Sequence, residues 1–385
     1  MIHVKRRNIM TKKRARELGI PLTGTTGKNN AITDVCGIEV GYSTVIYGTP
    51  DDYTGPGSAF ARTGVTAILP RGKQRSAVFV GRHDLNGNGE LTGTHWLDDS
   101  GLMHGPVLIT NTNSVGIVRD TTSKWMIDNH FYFPYVNNGQ PVDGVGYFYP
   151  VVGETWDGLL NDINGFHIRP EHALEALNNA HAGAIAEGNV GGGTGMICHD
   201  FKGGTGTASR IVSTEAGEFT LGVLVQANHG MRDTFQICGV PLKDEFGPET
   251  MPVINTFAPK PGTGSIIVIL ATDAPLLPWQ LSKLTKRVPI GIGILGAYGD
   301  NGSGDIFLAF STANENAYSL GISKIDMLSD EIIDPLYIAT VEAVEEAVLN
   351  ALCAAETMEG RDHNLVQALP QDQLLAILKK YRKIK

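Results

Sequence analysis

Residues 255–273 read NTFAPKPGTGSIIVILATD, in which a segment rich in proline and glycine runs directly into a series of β-branched residues. The first half predicts a loop and the second half a strand, so Ser265 lies at the junction between them. A serine at such a junction can attack the preceding carbonyl carbon through its hydroxyl, and Gly264 leaves that carbonyl unobstructed. Hydrolysis of the resulting ester would free the α-amine of Ser265.

This α-amine would give Ser265 a base as well as a nucleophile. Its unperturbed pKa is about 7.7 to 8.0, close to the pH at which general-base catalysis works best. Taken alone, however, a Gly-Ser pair is too common to separate this chemistry from an ordinary loop-to-strand junction. Self-cleavage between Gly264 and Ser265 therefore needs support from other parts of the sequence.

Short β-branched runs bounded by glycine, proline or asparagine recur along the chain and predict further strands. The predicted strands are 65–69, 77–80, 106–110, 145–152, 219–227, 265–271, 289–295 and 305–311. Apolar residues spaced by three and four predict helices, with glycine or proline at their ends. The predicted helices are 169–186, 279–286, 335–355 and 371–382. This mixture indicates layered α/β or α+β packing.

The composition excludes several kinds of partner. The chain has 385 residues, of which 42% are hydrophobic and 18% charged, so it can bury a large core. Its formal net charge of -9 gives no overall attraction for nucleic acid or for an anionic membrane. The sequence contains no secretory signal pattern and no apolar run long enough to span a bilayer. We expect a soluble globular protein that binds neither nucleic acid nor membrane.

The spacing of cysteine and histidine predicts no metal and no other cofactor. The four cysteines are spread singly, so we expect most of them to be buried thiols in a reducing cytoplasm. The eleven histidines form no H-E-x-x-H pattern, and no G-x-S-x-G elbow is present. The sequence favours a site that needs neither a metal nor a Ser-His-Asp triad.

Polar residues elsewhere fit a site around Ser265, although each has a simpler interpretation. Ser303 and Asp305 are two residues apart, so in an extended chain both side chains face the same way, yet they also suit a turn. Asn228 ends a predicted strand and could donate its amide to an oxyanion, or it could simply form a turn. Glu154 could bind a substrate amine or lie at a solvated strand end. The glycine-rich stretches 188–198 and 201–210 could bind an oxyanion through backbone N–H groups or serve as turns.

At these residues the chain resembles the family of L-aminopeptidase D-amidase/D-esterases and β-aminopeptidases. The resemblance covers nearly the whole chain, and the matching segments follow the family's order. They are RARELGIPL at 14–22, NAITDVCGIEVG at 30–41, NGNGELTG at 86–93, VVGETWDGLLNDING at 151–165, VGGGTGMIC at 190–198, FKGGTGTASR at 201–210, GSIIVILATDAPLLP at 264–278 and SGDIFLAFSTAN at 303–314.

The resemblance implies a precursor that is cut before its nucleophile. Here the products would be an α chain, 1–264, and a β chain, 265–385, which begins with Ser265. Together they would form one four-layer αββα sandwich of the α+β class, similar to N-terminal-nucleophile hydrolases but with connections closer to the ornithine acetyltransferase type. Family members commonly assemble as tetramers of processed α/β pairs.

The resemblance also implies a function for each polar candidate. Asn228 matches the oxyanion donor, Ser303 and Asp305 match the groups beside the nucleophile, and Glu154 matches the acidic residue that holds the substrate amine. Trp156 stands where some members have a functional tyrosine, so the substrate preference is open at this position. Asp305 is a glutamate in some relatives and has a shorter reach here.

The expected activity is hydrolysis of short peptides, amino-acid amides or esters with a free amino end, through an acyl-enzyme on Ser265. Two alternatives remain. One is a self-cleaving acyltransferase of the ornithine acetyltransferase type, but that relative uses threonine as its nucleophile. The other is an unprocessed protein that only binds a ligand.

Overall fold

The computed structural model describes residues 12–384 except positions 76, 132–134, 139, 143–146, 258–259, 261 and 320. The strands are β1 (Glu39–Tyr47), β2 (Ala61–Lys73), β3 (Ala77–Gly87), β4 (Leu102–His104), β5 (Val107–Asn111), β6 (Tyr135–Asn137), β7 (Gln140–Val142), β8 (Val151–Thr155), β9 (Ile197–Cys198), β10 (Phe201–Lys202), β11 (Gly204–Thr214), β12 (Gly217–Asn228), β13 (Gln236–Ile237), β14 (Val240–Pro241), β15 (Thr263–Thr272), β16 (Gly302–Ser311), β17 (Met358–Glu359) and β18 (Leu365–Val366). The α-helices are α1 (Thr94–Ser100), α2 (Val115–Asp128), α3 (Pro170–Asn178), α4 (Pro278–Thr285), α5 (Val288–Ile294), α6 (Asp334–Ala354) and α7 (Gln371–Lys380).

Ten of these strands form two sheets. The smaller sheet has the order β1-β2-β5-β8, and the larger has the order β11-β12-β15-β16-β3-β4. Neighbouring strands are antiparallel except for two parallel pairs, β5 with β8 and β15 with β16. The remaining strands form short two-stranded pairs outside the two sheets.

The two sheets pack face to face and carry helices on their outer faces. The core between the sheets contains Ile68 and Ile109 from the smaller sheet and Ile267 and Leu308 from the larger. Helices α2 and α3 cover the outside of the smaller sheet, while α4 and α6 cover the outside of the larger one. This arrangement confirms the predicted αββα sandwich.

Strand β15 is buried on both faces, which explains its continuous apolar run. Ile267 and Ile269 point into the core between the sheets, whereas Ile266 and Val268 point into the core under the helices. A strand with two covered faces needs no alternation of polar and apolar residues. From Ser265 onward every residue of this strand is therefore buried, whereas Thr263 is exposed.

Most predicted elements are confirmed, and one is wrong in type. Residues 289–295 were predicted as a strand but lie almost entirely in helix α5, because Pro289 occupies the first helical turn and Gly291 lets the helix approach Val344 of α6 closely. The predicted helix 169–186 ends early, at Asn178, because His181 pairs with Val40 in an extended bridge.

Other predictions differ in position or extent. The strand predicted at 145–152 lies at Val151–Thr155, and its residues 145 and 146 fall outside the described part of the chain. Of the cysteines, Cys198 and Cys353 are buried, Cys238 is half-buried and Cys36 is exposed, so only half of them are buried as expected.

Candidate active site

Ser265 lies near the start of β15 and is 3% exposed. It shares a strand face with Ile267 and Ile269, so the alternation directs its side chain between the sheets. Its Oγ has no hydrogen-bond partner among the residues that the structure describes. Buried polar groups are nearly always hydrogen-bonded, so the unpaired hydroxyl of Ser265 is an exception to that rule.

Gly264 lies where β12 and β15 approach closely. A Cβ at this position would lie 2.7 Å from the carbonyl oxygen of Asn228, a distance that real Cβ atoms do not adopt. Glycine at 264 is therefore required for the close approach of the two strands.

The side chain of Asn228 is fixed on two sides by backbone groups. Asn228 is the cross-strand partner of Ser265, its Oδ1 accepts the N–H of Ile197 at 2.8 Å, and its Nδ2 donates to the carbonyl of Trp156 at 2.9 Å. A primary amide has two N–H donors, so one remains after the bond to Trp156. The geometry fits a fixed donor beside Ser265.

Ser303 and Asp305 flank the backbone of Ser265. In the parallel pairing, Ser303 is in register with Gly264 and Asp305 with Ile266. The Ser303 hydroxyl donates to Asp305 Oδ1 at 2.7 Å. Burial raises the pKa of Asp305, and hydrogen bonds from Ser303 and other groups oppose that rise. The register thus places Ser303 and Asp305 on the strand next to Ser265, beside its two chain neighbours.

Glu154 reaches the site from the smaller sheet. A methyl group added at Gly89 would lie 3.2 Å from Glu154 Oε1 and 3.4 Å from the Cα of Gly304, which is the register partner of Ser265. Burial raises the pKa of Glu154, while the Thr112 hydroxyl and the Glu90 N–H donate to its carboxylate and lower it. Thr112 and Glu90 carry no sequence signal that would have identified them.

Trp156 contacts the site through its backbone. Its carbonyl holds Asn228, while its indole packs against Gly158 and the residue is 39% exposed. Asp157, which follows it, is fully buried among Thr63, Asn111 and Asn161, and burial raises its pKa to about 7. The segment that supports Asn228 is therefore anchored in the interior.

The glycine-rich stretches 188–198 and 201–210 contact neighbouring strands of the fold. The N–H groups of Gly191 and Gly192 donate to the hydroxyls of Thr44 and Thr66, and most of 201–210 lies in strands β10 and β11. Of the two interpretations of these stretches, the structural one fits.

An αββα sandwich with a buried serine at the head of a central strand has the architecture of the serine N-terminal-nucleophile hydrolases. Comparison with known proteins gives the family. The sequence profile of peptidase family S58 matches residues 30–366. The chain belongs to peptidase family S58.

The similar proteins are peptide and amide hydrolases. A β-peptidyl aminopeptidase (BapA) from Sphingosinicella microcystinivorans is 49% identical over 96% of this chain and 93% of its own length. The L-aminopeptidase D-Ala-esterase/amidase from Ochrobactrum anthropi, described as a prototype for the serine aminopeptidases, superposes with a TM-score of 0.85 at 47% identity, covering 97% of this chain and 100% of that one. A β-aminopeptidase from Burkholderia gives a TM-score of 0.82 at 42% identity, covering 96% and 99%.

These findings make the chain a serine peptide or amide hydrolase, and they do not favour the acyltransferase or the binding protein. Among the described residues, no helix combines the length and apolar character needed to cross a membrane.

Proposed function

We propose that this chain is the precursor of an aminopeptidase and amidase that cuts itself between Gly264 and Ser265. The observation that supports this most is the unpaired, buried Oγ of Ser265, with Asn228 across the sheet and the Ser303–Asp305 pair beside its backbone.

Self-cleavage begins when Ser265 Oγ attacks the carbonyl carbon of Gly264. The C–N bond breaks, the acyl group passes from nitrogen to oxygen, and the nitrogen becomes an α-amine. Water then hydrolyses the ester, which leaves a chain ending at Gly264 and a chain beginning at Ser265.

Catalysis on substrates repeats this attack with the freed amine as base. The α-amine, adjoining Ser303 and Asp305, accepts the hydroxyl proton while Oγ attacks the substrate carbonyl. Asn228 stabilises the oxyanion, the substrate's amine leaves with the proton, and water releases the acyl group from Ser265. The two steps thus share one nucleophile.

Mass measurement of the purified protein tests self-cleavage. Wild-type protein should give two chains, 1–264 and 265–385, whereas Ser265→Ala should remain whole. Ser311→Ala, at a buried serine of β16, is the control and should be cut normally. Active enzyme with no chain beginning Ser-Ile-Ile-Val would show that the proposal is wrong.

The substrates we propose are short peptides, amino-acid amides or esters with a free amino end, as the names of the similar proteins suggest. An ionised Glu154 would pair with the substrate ammonium, and a blocked amine would remove that ion pair and leave the carboxylate only the Thr112 hydroxyl and the Glu90 N–H as partners. Acetylated peptides should therefore react poorly. Glu154→Gln should weaken the binding of substrates with a free amine. The ratio of kcat/KM for free peptides to kcat/KM for acetylated peptides should therefore be smaller in this variant than in wild type.

If wild-type enzyme hydrolyses free and acetylated peptides at equal rates, the protein is a general amidase and not an aminopeptidase. The rates on a panel of L-, D- and β-aminoacyl p-nitroanilides then rank the acyl groups that the enzyme prefers. The same panel with Trp156→Tyr tests whether residue 156 sets this preference.

We also propose that the processed α/β pairs form tetramers in the cytoplasm. All four cysteines are free thiols, which suits a reducing compartment. Light scattering of the purified enzyme and cell fractionation test the two parts of this proposal.

A further inference from the structure

Three side chains with metal-binding atoms meet behind Asn228. Cys198 ends β9, His199 follows it, and His229 follows Asn228 at the end of β12. The Cys198 Sγ and one ring nitrogen of each histidine lie within 4.8 Å of one another. Both Cys198 and His199 are 0% exposed, and His229 is 3% exposed.

The hydrogen bonds of the two rings leave nitrogen atoms unused. His199 Nδ1 lies 3.2 Å from the carbonyl of Met231, so Nδ1–H donates to that oxygen and Nε2 keeps a lone pair. Neither His199 Nε2 nor His229 Nε2 has a partner among the described residues. A carbonyl that accepts one ring N–H while the other nitrogen faces inward is the usual arrangement around a ligating histidine.

The backbone is shaped to hold these rings. His199 has a φ of 50° and Asp200 a φ of 59°, a left-handed turn that non-glycine residues seldom adopt. A Cβ at Gly230 would lie 2.4 Å from the His199 ring, so glycine makes room for the imidazole.

We propose that Cys198, His199 and His229 bind a zinc ion. One thiolate and two neutral imidazoles supply three of the four ligands that zinc usually takes. Tetrahedral bonds of about 2.3 Å to sulfur and about 2.0 Å to nitrogen place neighbouring ligand atoms about 3.5 Å apart. Cys198 Sγ lies 3.9 Å from His229 Nδ1, so Nδ1 of His229 and Nε2 of His199 would bind the ion, and separations of up to 4.8 Å must close by about 1.3 Å. Binding displaces the thiol proton to solvent.

A zinc ion here would tie β9 to the end of β12. Ile197 precedes Cys198 and donates its N–H to Asn228, and His229 follows Asn228. The ion would thus hold Asn228 through His229, its chain neighbour, and through Ile197, its hydrogen-bond partner. This consequence rests on the proposed function of Asn228, whereas the zinc site itself does not.

Metal content measures the site without an activity assay. Protein expressed with zinc and purified without chelators should contain about one zinc per chain by mass spectrometry. Cobalt in place of zinc should give a thiolate-to-cobalt charge-transfer band. Cys198→Ser and His199→Gln should each lower the zinc content at least tenfold, while Cys353→Ser, a buried cysteine outside the cluster, should keep it.

Wild-type protein without stoichiometric zinc, or equal zinc in Cys198→Ser and wild type, would overturn the proposal. If Cys198→Ser fails to fold, His199→Gln decides: loss of the cobalt band supports the site, and an unchanged band refutes it. Peptidase activity in zinc-free protein would not affect the proposed function, so the two proposals fail separately.

Discussion

At the scale of single residues, Asn228 is both a strand end and a proposed oxyanion donor. Asn228→Ala removes the donor, so turnover should fall roughly a hundred- to a thousand-fold. The kcat of cut protein measures this, with Asn189→Ala as control because the Asn189 side chain exchanges two hydrogen bonds with the backbone of Glu356. Unchanged kcat in cut, folded Asn228→Ala protein would remove Asn228 from the site.

The pair formed by Ser303 and Asp305 should be visible in the pH profile. Burial raises the pKa of Asp305, and the Ser303 hydroxyl lowers it by donating to the carboxylate. Ser303→Ala removes that bond, so the pKa rises further and less of the carboxyl is ionised at a given pH. The acid limb of kcat/KM should therefore move to higher pH.

Ser311→Ala is the matched control, because the Ser311 hydroxyl on the same strand donates to a carbonyl and not to a carboxylate. An acid limb that stays in place in Ser303→Ala would mean that another group titrates there.

At the scale of elements, sequence reasoning succeeded where one pattern fixed the structure. Helix α6 has three- and four-residue apolar spacing with Pro335 in its first turn, and β15 is an uninterrupted β-branched run. Residues 289–295 are also rich in β-branched residues but form helix α5. The prediction was wrong because the packing of this segment against α6 depends on tertiary contacts that the local sequence does not show. The partners of Glu154 could not be predicted for the same reason, because Thr112 and Glu90 meet it only through tertiary contacts.

The contact between β11 and α6 depends on Gly206. A Cβ at Gly206 would lie 2.0 Å from the carbonyl oxygen of Ala347, so Gly206→Ala should push the helix off the sheet. We expect the free energy of unfolding to fall by about 1–3 kcal/mol. Gly116→Ala in α2 is the control, because its added methyl meets no atom within 4 Å and should leave stability unchanged or slightly higher. Denaturant titration measures the free energy of unfolding of both variants. Equal values for Gly206→Ala and Gly116→Ala would contradict a tight contact at Gly206.

At the scale of the whole molecule, the proposed cut divides the larger sheet between two chains. Strands β11, β12, β3 and β4 belong to residues 1–264, while β16 and all of β15 except its first two residues belong to residues 265–385 and lie between them. The β15–β16 pair is therefore hydrogen-bonded to an α-chain strand on each of its two outer edges, to β12 and to β3. We expect the two products to stay together in native buffer.

This interleaving makes refolding of the cut protein depend on its concentration. The precursor folds as one molecule, at a rate independent of its concentration, whereas the two products once unfolded must find each other by diffusion. Recovery from denaturant should then slow in proportion as the cut protein is diluted. The Gly264–Ser265 bond would thus link the two parts of the molecule while the precursor folds, and self-cleavage would remove this link.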